Sequence, residues 1–304
     1  MIDLSTSIAG VRLKNPTVLA SGILGVTASS LLRVGAAGAG AVTCKSIGLD
    51  KRTGHHTPVL VEVPGGLLNA VGLSCPPLDE SVEELLKAKK KLSVPLIVSF
   101  YGKTAKEFGD VAEILSEIEP AFLEANISCP NIECEFGKPF GTTPEDAGKV
   151  TREIKRRTDV PLIVKLTPNV ADIVAIAKAV ESAGADAINA INTVGPGMTI
   201  NLEMRRPVLS NKFGGMSGPA IKPLAVRCIY LIREAVKIPL IGTGGVATGR
   251  DAVEMMMAGA SAVGVGTAVM NRDIEAFSLI CKEIKEFMKK EGYTRLSEII
   301  GAAH

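Results

Sequence analysis

The chain has 304 residues, of which 46% are hydrophobic and 4% aromatic, with 31 glycines, no tryptophan and a formal net charge of +2. That charge, with lysines and arginines scattered among acids, leaves no basic stripe for nucleic acid, and no apolar run approaches the length of about 18 residues that a membrane helix needs. Three histidines (His55, His56 and His304) are too few for a histidine metal centre or a Ser-His-Asp triad, and the six cysteines lack the spacing of a zinc ribbon or an iron-sulfur ferredoxin. No metal is expected, and a start without a leader pattern predicts a cytoplasmic protein with reduced thiols.

The length fits one large α/β barrel, so a single domain over residues 1–304 is the simplest organisation. Residues 8–13 read as a hairpin suited to plugging the bottom of such a barrel. A first strand, 16–19, ends in Ala20-Ser21-Gly22; a helix over 29–35 leads to a strand at 41–44 that closes on Lys45-Ser46. Residues 48–77 are rich in Gly and Pro without a helical period, far longer than an ordinary βα loop, and read as a lid or binding wall. Within them Gly65 to Leu73 exposes backbone amides beside Asn69; alone, this stretch is no more than a glycine-rich turn. Beyond it, helices over 78–91, 104–118, 144–157, 170–183, 219–236, 249–257 and 274–290 alternate with strands over 95–99, 121–125, 161–164, 187–191, 239–241 and 262–265. A second long loop covers 195–215. Eight strands, each followed by a helix, predict an eight-stranded parallel β/α (TIM) barrel with an N-terminal hairpin and long loops over its C-terminal face.

In a closed barrel the strand ends converge on one face, and here they carry Ser21, Lys45, Ser99, Asn126 with Cys129, Lys165, Asn192 with Thr193, Gly244 and Gly266. Asn126-Ile127-Ser128-Cys129-Pro130-Asn131 delivers a thiol between two asparagines, whose amides can fix a planar, carbonyl-rich ligand without adding charge. A lone cysteine is usually a small buried hydrophobe, but this polar company is unlike core sequence. A buried ammonium is costly unless something anionic or electron-rich meets it, which marks Lys45 and Lys165; either alone could be a snorkelling side chain. Gly242-Thr243-Gly244-Gly245 and Gly264-Val265-Gly266-Thr267 each precede a helix after the last two strands, where barrels hold phosphate. Neither is a dinucleotide fingerprint, so a mononucleotide such as FMN fits better than NAD.

Together with Ala20-Ser21-Gly22, Cys44-Lys45-Ser46, Asn69-Ala70-Val71-Gly72-Leu73, Val164-Lys165-Leu166, Ile191-Asn192-Thr193 and Gly214-Gly215-Met216-Ser217-Gly218-Pro219-Ala220-Ile221-Lys222-Pro223, these runs make the chain resemble the class 1 dihydroorotate dehydrogenases, and most closely the 1B type. The resemblance spans nearly the whole chain. It implies oxidation of dihydroorotate to orotate in pyrimidine biosynthesis, with Cys129 taking the C5 proton and FMN the hydride. Lys45, Asn69, Asn126, Asn131, Asn192 and Thr193 would hold the substrate, helped by backbone at Val71, Gly72 and Leu73. Lys165 would meet the electron-rich edge of the flavin. Ala20, Ser21, Lys45, Ser46, Ser99, Asn126, Ile191, Gly215, Ser217, Gly218, Gly244, Gly245, Gly266 and Thr267 would line the FMN. It further implies a homodimeric core within a heterotetramer, in which a partner subunit carries FAD and an iron-sulfur cluster and passes electrons to NAD. No nucleic acid or membrane partner is expected.

The loop Ile132-Glu133-Cys134-Glu135-Phe136-Gly137 departs from the family pattern and adds a second thiol, Cys134; Cys129 remains the expected base. The nearest rival is a fumarate-linked class 1A enzyme. Dihydropyrimidine dehydrogenases carry cluster-binding cysteines absent here, and dihydrouridine synthases a basic RNA face, also absent. A non-enzymatic flavin scaffold would require Cys129 and both lysines to be incidental.

Overall fold

The computed structural model describes residues 2–128 and 139–304. Its first strands, β1 (Thr6–Ile8) and β2 (Val11–Leu13), pair antiparallel as the expected hairpin. The barrel follows in chain order as β3 (Thr17–Leu19) and β4 (Ala41–Thr43), then, after β5 (Leu60–Val63) and β6 (Gly66–Asn69), β7 (Leu96–Phe100), β8 (Phe122–Asn126), β9 (Leu162–Leu166) and β10 (Ala187–Ala190). Four short strands, β11 (Val194–Gly197), β12 (Ile200–Asn201), β13 (Arg206–Pro207) and β14 (Gly214–Ser217), intervene before β15 (Leu240–Thr243) and β16 (Ala262–Val265) complete it. The eight parallel strands close in sequence order, with β9 and β15 flanking β10 and β16 pairing with β3.

Strands such as β7, β8 and β9 are buried on both faces almost throughout, as a parallel strand between a helical shell and a filled lumen must be. The helices between them start where a threonine or aspartate oxygen can accept an early amide N–H. Thr104, Thr143, Asp172 and Thr248 cap Ala105–Ser116, Pro144–Lys155, Ile173–Ser182 and Gly249–Met257 in this way. The stretch expected as one helix over 219–236 begins as a 3-10 turn, Pro219–Ile221, before Lys222–Ala235, because Gly218 at φ +103° turns the chain there. A short helix, Ala268–Arg272, precedes the last long one, Ala276–Glu291.

The two stretches expected as loops are not structureless. β5 and β6 form a hairpin around Gly65, and β6 pairs antiparallel with β14, Gly215 opposite Asn69 and Ser217 opposite Leu67, in a four-stranded sheet that β11 completes. The pairing joins segments far apart in sequence and rich in glycine, so no local periodicity announces it. This sheet roofs the barrel mouth.

Inside, the side chains stack in layers set by the two-residue repeat of a strand. At the bottom, Val18, Ala41, Ile97, Phe122, Ile163, Ala187, Ile241 and Ala262, one from each barrel strand, pack against Ile8 and Leu13 of the hairpin. Two residues on, the layer reads Ala20, Thr43, Ser99, Glu124, Lys165, Asn189, Thr243 and Gly264. The lumen turns polar within one step.

Candidate active site

Above that layer lies a cavity of about 470 Å³, bounded by the C-terminal ends of the barrel strands and by Val59, Leu60 and Leu67 of the roof. A second groove, about 530 Å³, sits outside the barrel between Lys222–Ala235, Gly249–Met257 and Ala276–Glu291. Its one lysine, Lys222, is tied to Asp251 at 2.8 Å and Glu254 at 2.6 Å, and no strand end reaches it. The chemistry belongs to the mouth.

One wall of the cavity is built from side-chain amides. Asn126 at the end of β8 donates to Ser46 Oγ at 3.2 Å and accepts at Oδ1 from Ser128 Oγ at 3.0 Å; Asn192 Nδ2 in turn donates to Ser128 Oγ at 2.8 Å. Ser128 thus fixes both amides, a role that stood unassigned inside a motif noticed for its cysteine. Asn69 donates to the Gly215 carbonyl across the roof at 3.3 Å, which turns its amide over the mouth. Lys45, Thr193 and the segment Val71-Gly72-Leu73 complete this side. That segment is bent by left-handed backbone at Gly72 (φ +76°) and Leu73 (φ +54°), and Arg52 Nε and the His55 N–H hold the carbonyls of Gly72 and Val71. Successive amides in such a bend suit an anionic group.

A hydroxyl chain backs the wall: Ser21 donates to the Cys44 carbonyl at 2.9 Å, and Ser46 stands 3.2 Å from Ser21 and 2.9 Å from Ser99. Ser99 and Gly215 do not line the cavity but stand behind it. Ser99 supports Ser46, and Gly215 must lack a side chain because a Cβ there would collide with Thr193 Oγ1. Burial pushes the neighbouring Cys44 thiol up to about 12, and the charge of Glu124 adds to the shift against a hydrogen bond from Ser99 N–H. Cys44 is a core thiol. Cys129, Asn131 and Cys134 lie outside the described residues.

The opposite end is walled by backbone. Gly244 (φ +130°) and Gly245 (φ +75°) leave β15, and a Cβ on Gly245 would stand 2.6 Å from that of Lys222, so only glycine fits. Gly264, Gly266 and Thr267 form the facing edge, where Thr267 Oγ1 donates to Ser217 Oγ at 2.9 Å beside Gly218. The helix after the first glycine cluster does not offer a free N-terminus. Asp251 accepts from the N–H groups of Ala247 at 3.2 Å and Thr248 at 2.8 Å, and Glu283 accepts from Gly249. Any phosphate donors here come from the glycine turn rather than from that helix. Arg272, which the sequence did not single out, brings a cation to this end; it donates to the Ala247 carbonyl at 2.8 Å and pairs with Glu283. That pairing holds the Glu283 carboxyl below its ordinary range.

Between the two ends Ile191 gives an apolar surface, and Lys165 enters from below, only 5% exposed. A cavity with a polar amide end, a buried ammonium at mid-depth and a glycine-walled end beside Arg272 fits a flat heteroaromatic ring carrying a phosphate tail. Among the described residues no group of three His, Cys, Asp or Glu stands together as a metal site, and no helix is long and apolar enough to cross a membrane.

Comparison with known proteins gives the arrangement a context. Residues 3–288 match the family model described as dihydroorotate dehydrogenase. The chain is 48% identical to the dihydroorotate dehydrogenase B (NAD(+)) catalytic subunit of Methanothermobacter thermautotrophicus, covering 99% of this chain and 98% of that protein. It is 49% identical to the subunit of the same description from Methanosarcina mazei (98% and 94% covered) and 45% identical to that from Pyrococcus abyssi (99% of each). A crystal structure of DHODH from Eimeria tenella in complex with ferulenol superposes with a TM-score of 0.85, covering 99% of this chain and 89% of that one at 21% identity, a likeness of fold.

Proposed function

Since the chain belongs to the dihydroorotate dehydrogenase family, we propose that it is a catalytic subunit oxidising dihydroorotate to orotate, one FMN-binding domain over residues 1–304. The observation that carries this reading is the convergence of Lys45, Asn69, Asn126, Asn192 and Thr193 on one end of a cavity whose other end is bare glycine backbone. FMN, when bound, supplies the acceptor for a hydride from the substrate. Its phosphate would be held by Gly244, Gly245, Gly266 and Thr267, with Arg272 nearby, and its ring would lie along Ala20, Ser21, Ser46, Ile191, Ser217 and Gly218.

The residues of the chain do the rest. Asn126 and Asn192, locked by Ser128, present donors and acceptors to the ring amides of dihydroorotate, while Lys45 and the bent segment 71–73 receive its carboxylate. Cys129 would take the proton from C5, and Asn69 and Asn131 would help to hold the substrate. Lys165 sets a positive charge beneath the site as negative charge develops. The roof sheet, pinned through Asn69 and Gly215, shields these groups from water.

Near-full-length identity to subunits described as NAD(+)-linked supports transfer of the electrons to NAD rather than to fumarate. An electron-transfer partner carrying FAD and an iron-sulfur cluster would provide the route. Anaerobic titration of the yellow protein with dihydroorotate tests the assignment: stoichiometric bleaching of the flavin bands is expected. A flavin that stays oxidised would remove the substrate while leaving the barrel.

A further inference from the structure

Among the described residues only two charged side chains are buried below a tenth exposure, Glu124 at 0% and Lys165 at 5%. They have opposite sign and sit at lumen-facing positions of β8 and β9, which pair directly with Glu124 opposite Ile163 and Lys165 opposite Asn126, so the two charges lie one inward position apart on neighbouring strands. Glu124 is not explained by local satisfaction. Its Oε2 accepts from Asn189 Nδ2 at 2.7 Å, and Asn189 Oδ1 accepts from Thr243 Oγ1 at 2.7 Å, but Oε1 is buried with no hydrogen-bond partner. A carboxylate left half-satisfied in a closed lumen is expensive unless a compensating charge shares the same low-dielectric space. Its charge reaches beyond the polar layer, since it helps push up the buried Cys44 thiol just past β4, two strands away.

We propose that Glu124 is a positioning residue for the redox reaction: it balances the charge of Lys165 inside the barrel and anchors Asn189 and Thr243, so that the net field under the flavin is that of a pair rather than of a bare ammonium. The proposal rests on the FMN reading. The hydrogen-bonded chain Glu124–Asn189–Thr243 crosses from β8 to β10 and β15 and ends at the residue preceding Gly244 and Gly245. The carboxylate therefore touches both the charge and the geometry of the site, while lying a layer below the cavity.

Two opposed effects on flavin potential follow. Glu124→Gln keeps the shape and the Asn189 bond but removes the negative charge, so reduced, anionic flavin gains stability and the midpoint potential rises. Lys165→Met lowers it. Each shift should amount to at least a tenfold change in the reduced-to-oxidised ratio, about 30 mV for a two-electron couple. A purely structural role would leave the potential where it was.

The same pair is tested without flavin by a thermal double-mutant cycle on the apo chain. Each single variant leaves one buried charge uncompensated and should lower Tm by roughly 6–15 °C, whereas Glu124→Gln/Lys165→Met should lose far less than the sum. Additive losses with an unmoved potential overturn the proposal. If Glu124→Gln does not fold, recovery of a folded double variant supports it and failure of the double variant as well overturns it. A wild-type protein that takes up no FMN would sink the functional reading instead, and the apo cycle would still decide the pairing.

Discussion

The lower and upper halves of the barrel lumen are built by the same strands two residues apart. Below, Phe122, Ile163 and Ile97 meet the hairpin in apolar contact; above, Glu124, Lys165 and Ser99 on those strands bury charge and hydroxyl, and Lys165 alone of the three reaches the cavity. The lower layer obeys the rule of a core, where shape and transfer from water set the energy. The upper layer breaks that rule, burying charge and amides whose cost is tolerated because the packed floor beneath is not asked to do chemistry. Stability and function are thus divided by height rather than by domain.

The sharpest break in this division comes from Cys129→Ala. It should cut flavin reduction by dihydroorotate about 10²–10⁴-fold in stopped-flow measurements while FMN content and Tm hold. Near-normal reduction would move the base to another group, Cys134 first. The reverse dissociation is expected at the floor. Phe122→Ala should cost about 3–5 kcal/mol in denaturant unfolding yet leave the dihydroorotate affinity of the folded fraction unchanged.

An intermediate effect falls at the glycine end. The Glu283 carboxyl is held below its ordinary value of 4.5 chiefly by the hydrogen bond from Arg272, so its contribution is fully present above that value and is lost as pH falls through the depressed one. Glu283→Gln should therefore destabilise by about 1 kcal/mol at pH 7, and the difference from wild type should close under acid titration followed by circular dichroism. A gap that persists at low pH would assign the loss to packing. The smallest effect is expected at Cys44. With its thiol raised to about 12 by burial, it should resist iodoacetamide at pH 8 in a peptide map; ready alkylation would mean that the core packing around β4 opens to solvent.

Much of this was legible in the chain. Strand ends at Lys45, Asn126, Lys165 and Asn192 follow from apolar runs that stop at a polar residue, and all four line the cavity. What escaped was set by pairing at a distance. Leu67, Leu68 and Asn69 look like part of a glycine-rich turn until Ser217, Met216 and Gly215 lie opposite them. Arg272 is an ordinary surface cation until Glu283 and the Ala247 carbonyl hold it. Glu124 reads as one acid in a short strand, since a sequence carries no sign of which residues of a strand face a closed lumen. The place of the first glycine cluster before a helix suggested amides that the structure does not leave free, for a related reason: Asp251 takes the N–H groups of Ala247 and Thr248, and Glu283, far along the chain, takes that of Gly249.

The β6–β14 pairing bears on how the molecule is made. Asn69 and the Gly215 carbonyl it grips are separated by 146 positions, so closing the roof joins the first third of the chain to its last third. Contacts of such span form late, after the entropy of closing the intervening loop has been met. A nascent chain emerging only as far as β10 can carry Lys45, Asn69 and Asn126 without any means of arranging them over the mouth. Competence to bind then arrives as one of the last events of folding, and half-chain fragments should recover it only on reassembly.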